Sequence, residues 1–244
     1  MDTAPRRQSV RSAVPELGLY RIAAWAGLAA GALGLLANAV HPRFSDPGDT
    51  VALLDRISTY GSWRLVHLVI VVSIALGVVA LVGVTRSIAA PGPAAWARLG
   101  LTAAVVTGTL MAAAFAIDGF GFAGVAERWA GAGAERAELL RQAETLGYVE
   151  GGLAAVAVLG LFGFAQSAYA LALWGSAEYP RWTGAAAAAG GVVGLVSGLW
   201  AWTSGGLTAG NTTLFTITAA LFAAWIVGAS LEMLRMRDDA PERA

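Results

Sequence analysis

Apolar residues in this chain do not alternate with polar ones; they run on in six long blocks, approximately Ile22 to Val40, Leu65 to Val84, Leu99 to Ile117, Tyr148 to Trp174, Trp182 to Thr203 and Thr212 to Leu231. A helix advances about 1.5 Å per residue, so about 20 apolar residues cross the hydrocarbon core of a bilayer. Lipid offers no partner for a free peptide N–H or C=O, and no strand-like alternation is visible, so every block must be helical. The pattern predicts an all-α, polytopic bundle of six transmembrane helices with the lipid bilayer as its partner. A tail over residues 1–21 precedes a transmembrane domain over 22–233 with two structured outer loops, 41–64 and 118–147, and a tail over 234–244 follows.

The polar stretches between blocks carry their own signals. In the first outer loop Asp46 is suited to cap a helix with Pro47 at its first position and Asp49 in its first turn, and Leu53, Leu54 and Ile57 then form an apolar stripe. This predicts a short helix lying on the membrane surface. In the second, Ala134 to Gly147 places Leu139, Leu140, Ala143 and Leu146 on one face and Glu138, Arg141 and Glu144 on another, a helix expected to run straight into the fourth span. Pro91-Gly92-Pro93 and Tyr179-Pro180 are expected to be short turns. Both lead through a Trp and an Arg into a Gly/Ala-rich helix, a faint internal echo.

Orientation follows from arginine asymmetry, since basic loops stay cytoplasmic. With the N-terminus inside, Arg6, Arg7, Arg11, Arg21, Arg86, Arg98, Arg181, Arg235, Arg237 and Arg243 are inner, against Arg43, Arg56, Arg64, Arg128, Arg136 and Arg141 outside. Both termini are therefore expected in the cytoplasm, and the chain in the inner or plasma membrane. Trp96, Trp174 and Trp182 fall at inner helix ends and Trp63, Trp200 and Trp202 near outer ends, positions where indoles anchor at headgroups. The first block, with Ala37-Asn38-Ala39 behind it, is longer than a signal-peptide core and reads as a span. Arg6-Arg7 lacks the surroundings of a twin-arginine signal.

Composition narrows the chemistry. Of 244 residues, 57% are hydrophobic and 13% charged, with mean hydropathy +0.64, which no soluble core absorbs. Net charge is zero, so a nucleic-acid partner has no electrostatic footprint. Every basic residue other than histidine is Arg; without Lys there is no Schiff-base chemistry, and without Cys no thiolate nucleophile, iron–sulfur cluster or thiolate metal site.

His41-Pro42 closing the first helix, Trp63-x-x-x-His67 opening the second, Asp118-Gly119 closing the third and Tyr179-Pro180-Arg181-Trp182 before the fifth resemble a group of six-helix prokaryotic membrane proteins of the domain-of-unknown-function kind. The resemblance covers most of the chain and implies the fold but no activity.

Four ionisable residues from four helices, His41, His67, Asp118 and Glu150, are all placed by this topology toward the outer face. Ionisable groups in spans are costly and so count as functional candidates, and His with carboxylate suits Zn²⁺ or non-haem iron. Trp63 shares a helix face with His67 and is expected to form an aromatic wall beside it. The reading favoured is a non-enzymatic ligand-binding, transport-related or assembly component with an outward-facing polar pocket and no cofactor. The alternative is a metal or haem protein built on His41 and His67. Interfacial or hydrogen-bonded structural residues account for the same four positions.

Other motifs have simpler uses. Gly119-x-Gly121-x-x-Gly124 matches the dinucleotide fingerprint by letters but follows a membrane helix, so it is read as the start of a flexible loop. Asn211-Thr212-Thr213 is formally a sequon, yet capping the sixth helix is the better use of its polar groups. Gly190, Gly194 and Gly198, like Gly27 and Gly31, form small-residue stripes for close packing within the chain, or for a homo-oligomer seam. Gln166 lies far round its helix from Glu150 and is expected to hydrogen-bond a neighbouring helix.

Overall fold

The computed structural model describes residues 13–42, 48–206 and 208–238. Seven continuous helices account for nearly all of them: α1 Ala13–Val40, α2 Thr50–Thr59, α3 Trp63–Ser87, α4 Pro91–Trp129, α5 Arg136–Trp174, α6 Arg181–Thr203 and α7 Ala209–Asp238. Among the described residues there is no strand. All but α2 are long and apolar enough to cross a membrane, so the chain is a multi-pass integral membrane protein.

Apolarity does not fall on one face of these helices. Leu36, Leu65, Leu68, Val106, Val192 and Leu199 point outward and are exposed, which water would penalise and lipid does not. Each helix packs on its neighbours in the ring order α3, α1, α7, α6, α5, α4 and back to α3. The enclosed core includes Leu81, Val84, Tyr169, Leu173, Trp225 and Met233.

Small residues set how closely the ring closes. A Cβ on Gly194 or Gly198 would strike the backbone of Phe162 or Leu159 in α5, and one on Gly31 would strike Val227 of α7. The stripes are therefore used within the chain, as ordinary packing predicts. Gln166 is buried between α5 and α7, donating from Nε2 to Thr218 Oγ1 at 3.1 Å and accepting from Trp225 Nε1 at 3.2 Å. At the end of the bundle remote from the histidines, Tyr169 pairs with Thr85 at 2.7 Å and Tyr179 with Ser87 at 2.5 Å. Burial pushes the Tyr179 phenol up, so it works as a neutral hydrogen-bonding group.

Several expectations change. The segment 118–129 is not loop: α4 runs on to Trp129 through a π-helical stretch, Ile117–Phe122, so Gly119, Gly121 and Gly124 are helical and only residues 130–135 separate α4 from α5. Asp46 and Pro47 lie outside the described residues, and the cap of α2 is Asp49, whose Oδ1 accepts from the Ala52 N–H at 3.0 Å. The apolar stripe of this helix turns toward the protein. Leu54 and Ile57 are buried against Phe122, Trp129, Leu139 and Ala143, making a cap over the histidine end of the ring. Pro91 begins α4 rather than a turn, since a helix's first residue needs no N–H partner. Asn211 does serve the start of α7, reciprocally: Thr208 Oγ1 accepts from its N–H at 3.3 Å while its own Oδ1 accepts from the Thr208 N–H at 2.8 Å. Trp63 is no headgroup anchor; it is buried, whereas Trp96, Trp174, Trp182, Trp200 and Trp202 remain exposed at helix ends.

Candidate functional site

The polar cluster is assembled by two local departures from regular packing. The chain leaves α1 at His41-Pro42, which frees the His41 ring to turn back, its Nδ1 lying 2.9 Å from the Pro42 carbonyl. In α4 the π-helical stretch inserts extra backbone per turn and re-aims Asp118 inward. Gly119 then allows α4 to seat directly on α3, where a Cβ would stand 2.5 Å from His67 Cβ. The result is close convergence. His67 Nε2 is 2.9 Å from Asp118 Oδ2 and 3.3 Å from His41 Nε2, and ligand atoms of all three residues lie within 4.8 Å of one another.

An aromatic wall holds the imidazoles. The Trp63 ring centroid is 4.6 Å from that of His67 and 5.2 Å from that of His41, and Trp63 Nε1 donates to the Asp118 carbonyl at 3.0 Å. That donation ties α3 to the π-helical stretch. The carbonyl of Trp63 lies 2.8 Å from His67 Nδ1, so both ring nitrogens of His67 are engaged. His67 is only 1% exposed, while His41 and Asp118 are half-buried and open toward solvent-accessible space.

Glu150 joins the site from α5 but not the convergence. It is half-buried, and among the described residues no hydrogen bond or ion pair reaches it. It lines both of two cavities that meet at His41, Asp118 and Glu150. One, of about 800 Å³, is a vestibule under the cap bounded by Trp63, Glu144 and Gly206. The other, of about 400 Å³, descends into the bundle between α1, α3, α4, α5 and α7. It follows the α3 face marked by Ile70, Ile74, Gly77 and Leu81, which at about 1.5 Å per residue is a tunnel of about 16 Å. Away from His41, Asp118 and Glu150 its walls are apolar apart from the Asn38 amide and the hydroxyls of Ser73, Thr212 and Thr216.

All five sequence-derived candidates thus fall at one place, with His41 and Asp118 each against His67, Trp63 as their wall and Glu150 beside them. Gly119 and the threonines of α7 escaped notice, the first because its use depends on which helix lies opposite, the second because Thr is unremarkable in a span. No known protein family matches the chain, and no curated protein or solved structure is similar to it.

Proposed function

We propose that this membrane protein binds a lipid-like amphiphile, its chain in the tunnel and its polar head at His41, Asp118 and Glu150. The observation that carries this reading is the joining of an apolar tunnel of chain-like dimensions to a polar vestibule at one cluster of ionisable groups. A cavity of a few hundred Å³, mostly apolar with a few convergent polar groups, has the proportions of a ligand site. Among the described residues no arginine lines either cavity, so the electrostatics favour a neutral or cationic head, such as a hydroxyl or amine, over a phosphate. No catalytic step belongs to this reading. The arginine bias supports placing the histidine end outside the cell, with both termini in the cytoplasm.

The test is a titration in lipid nanodiscs with a fluorescent long-chain primary alcohol and the matching amine. Gly77 lines the tunnel, and a Cβ there meets only the Phe222 ring, at 3.7 Å. Gly77→Leu is expected to fill the tunnel and weaken binding about tenfold or more with little change in melting temperature, about 1.4 kcal/mol per decade of affinity. Unchanged affinity in that variant would remove the tunnel from the function.

A further inference from the structure

Hydrogen-bond accounting at the two histidines leads beyond the tunnel. A carbonyl oxygen only accepts, so the contacts of His41 Nδ1 with Pro42 O at 2.9 Å and of His67 Nδ1 with Trp63 O at 2.8 Å place a proton on each Nδ1. In the neutral rings each Nε2 is then a lone pair. These lone pairs face each other at 3.3 Å, and Asp118 Oδ2 lies 2.9 Å from that of His67. Three acceptors aimed at one another require a cation among them, either a proton on His67 or a metal ion.

We infer that His41 Nε2, His67 Nε2 and Asp118 Oδ2 form a binding site for a divalent metal of the zinc or ferrous class. A proton on His67 Nε2 lies along one direction and joins His67 to Asp118, whereas a metal ion takes all three converging donors. Donors bound at about 2.0–2.1 Å to a tetrahedral ion stand about 3.3 Å apart, the spacing found between the two Nε2 atoms. An imidazole whose other N–H is held by a carbonyl is also the usual outer-shell arrangement of a metal-ligating histidine, because it fixes both tautomer and ring direction. Two nitrogens and one carboxylate, in a chain without Cys, suit Zn²⁺ or Fe²⁺. Three protein ligands leave a coordination position open, and the site borders both cavities, as does Glu150. The inference rests on the amphiphile reading only for what fills that position, a hydroxyl or amine head carried there by the chain in the tunnel.

The full-length protein in detergent, stripped with a chelator, is to be titrated with Zn²⁺ and, anaerobically, with Fe²⁺, and its bound metal measured by elemental analysis. About one ion per chain is expected, with a rise in melting temperature. His41→Ala and the near-isosteric Asp118→Asn are each expected to weaken binding by more than the about 10–100-fold that outer-shell changes produce. These two variants carry the test if the buried His67→Ala fails to fold. A folded wild-type protein that takes up less than about a tenth of an ion per chain, or a His41→Ala/Asp118→Asn double variant that keeps a full ion, would overturn the inference. So would a stability that rises on acidification with no metal uptake, which assigns the cluster to a shared proton. Equal alcohol affinity with and without bound metal would overturn only the metal's role in holding the head, and loss of alcohol but not metal binding in Gly77→Leu would support both sites.

Discussion

At the scale of single residues, a missing side chain matters as much as the ones that carry charge. Gly119 lets α4 approach until a Cβ would stand 2.5 Å from His67 Cβ, closer than packed carbons tolerate. Gly119→Ala is therefore expected to push the two helices apart, destabilise the protein by about 1–3 kcal/mol and break the His67–Asp118 contact. Gly124, in the same helix, has nothing within 4 Å of an added Cβ, so Gly124→Ala should be neutral or slightly stabilising. Thermal melts of both variants in one detergent measure the difference, and equal melting temperatures would mean that α4 does not seat on His67. The four ionisable candidates were legible in the sequence because six alternating spans leave only two sides, and these residues fall on one of them. Their atomic convergence was not. It depends on the turn of the chain at Pro42 and on the π-helical stretch around Asp118, which hydropathy cannot register because an extra residue per turn leaves the composition of a span unchanged.

At the scale of elements, both long helices contain a widened stretch, and each lies where a partner comes unusually close. In α5 the stretch Val158–Ala165 faces the small-residue stripe of α6, with Gly194 against the Phe162 and Gly163 backbone and Gly198 against Leu159. Backbone-to-backbone packing of this kind replaces the hydrophobic force that lipid cannot supply between helices. The fourfold glycine period was visible in the sequence, but its partner was not, because any helix of the bundle, or of a second copy, could have met it. Gly194→Leu is expected to lower the melting temperature of detergent-solubilised protein well below that of Ala189→Leu, whose site on the same helix is exposed. Overpacking against rigid backbone costs about 1–3 kcal/mol or more, whereas a leucine facing detergent costs almost nothing. Indistinguishable melts would place the stripe on the lipid side. The cap was missed for a related reason. An amphipathic ten-residue helix beside a membrane fits the surface as well as it fits a neighbour, and only the burial of Leu54 beside Trp129 and Leu139 decides between them.

At the scale of the whole molecule, the question is which side of the membrane the histidine end occupies, because that decides the compartment from which the vestibule is reached. Among the described residues the arginines of that end are largely absorbed by the cap: Arg64 meets Glu127 at 2.9 Å, Arg128 meets Glu135 at 3.3 Å, Arg141 pairs with Glu138, and Arg136 lies 4.0 Å from the centre of the Trp129 ring. These arginines belong to a folded polar layer. At the opposite end the connections are short: residues 88–90 join α3 to α4 with Arg86 and Arg98 on either side, and residues 175–180 lead to Arg181 at the start of α6. Orientation is set chiefly by basic residues in short loops, while carboxylates contribute little, so these arginines weigh more than their number suggests. A periplasm-active reporter fused after Gly133, in the connection between α4 and α5, is expected to be active, and one fused after Ala90 silent. The same pair of fusions carrying a reporter active only in the cytoplasm should give the complementary pattern. If both reverse, the vestibule opens to the cytoplasm, and the amphiphile must be one supplied from inside the cell.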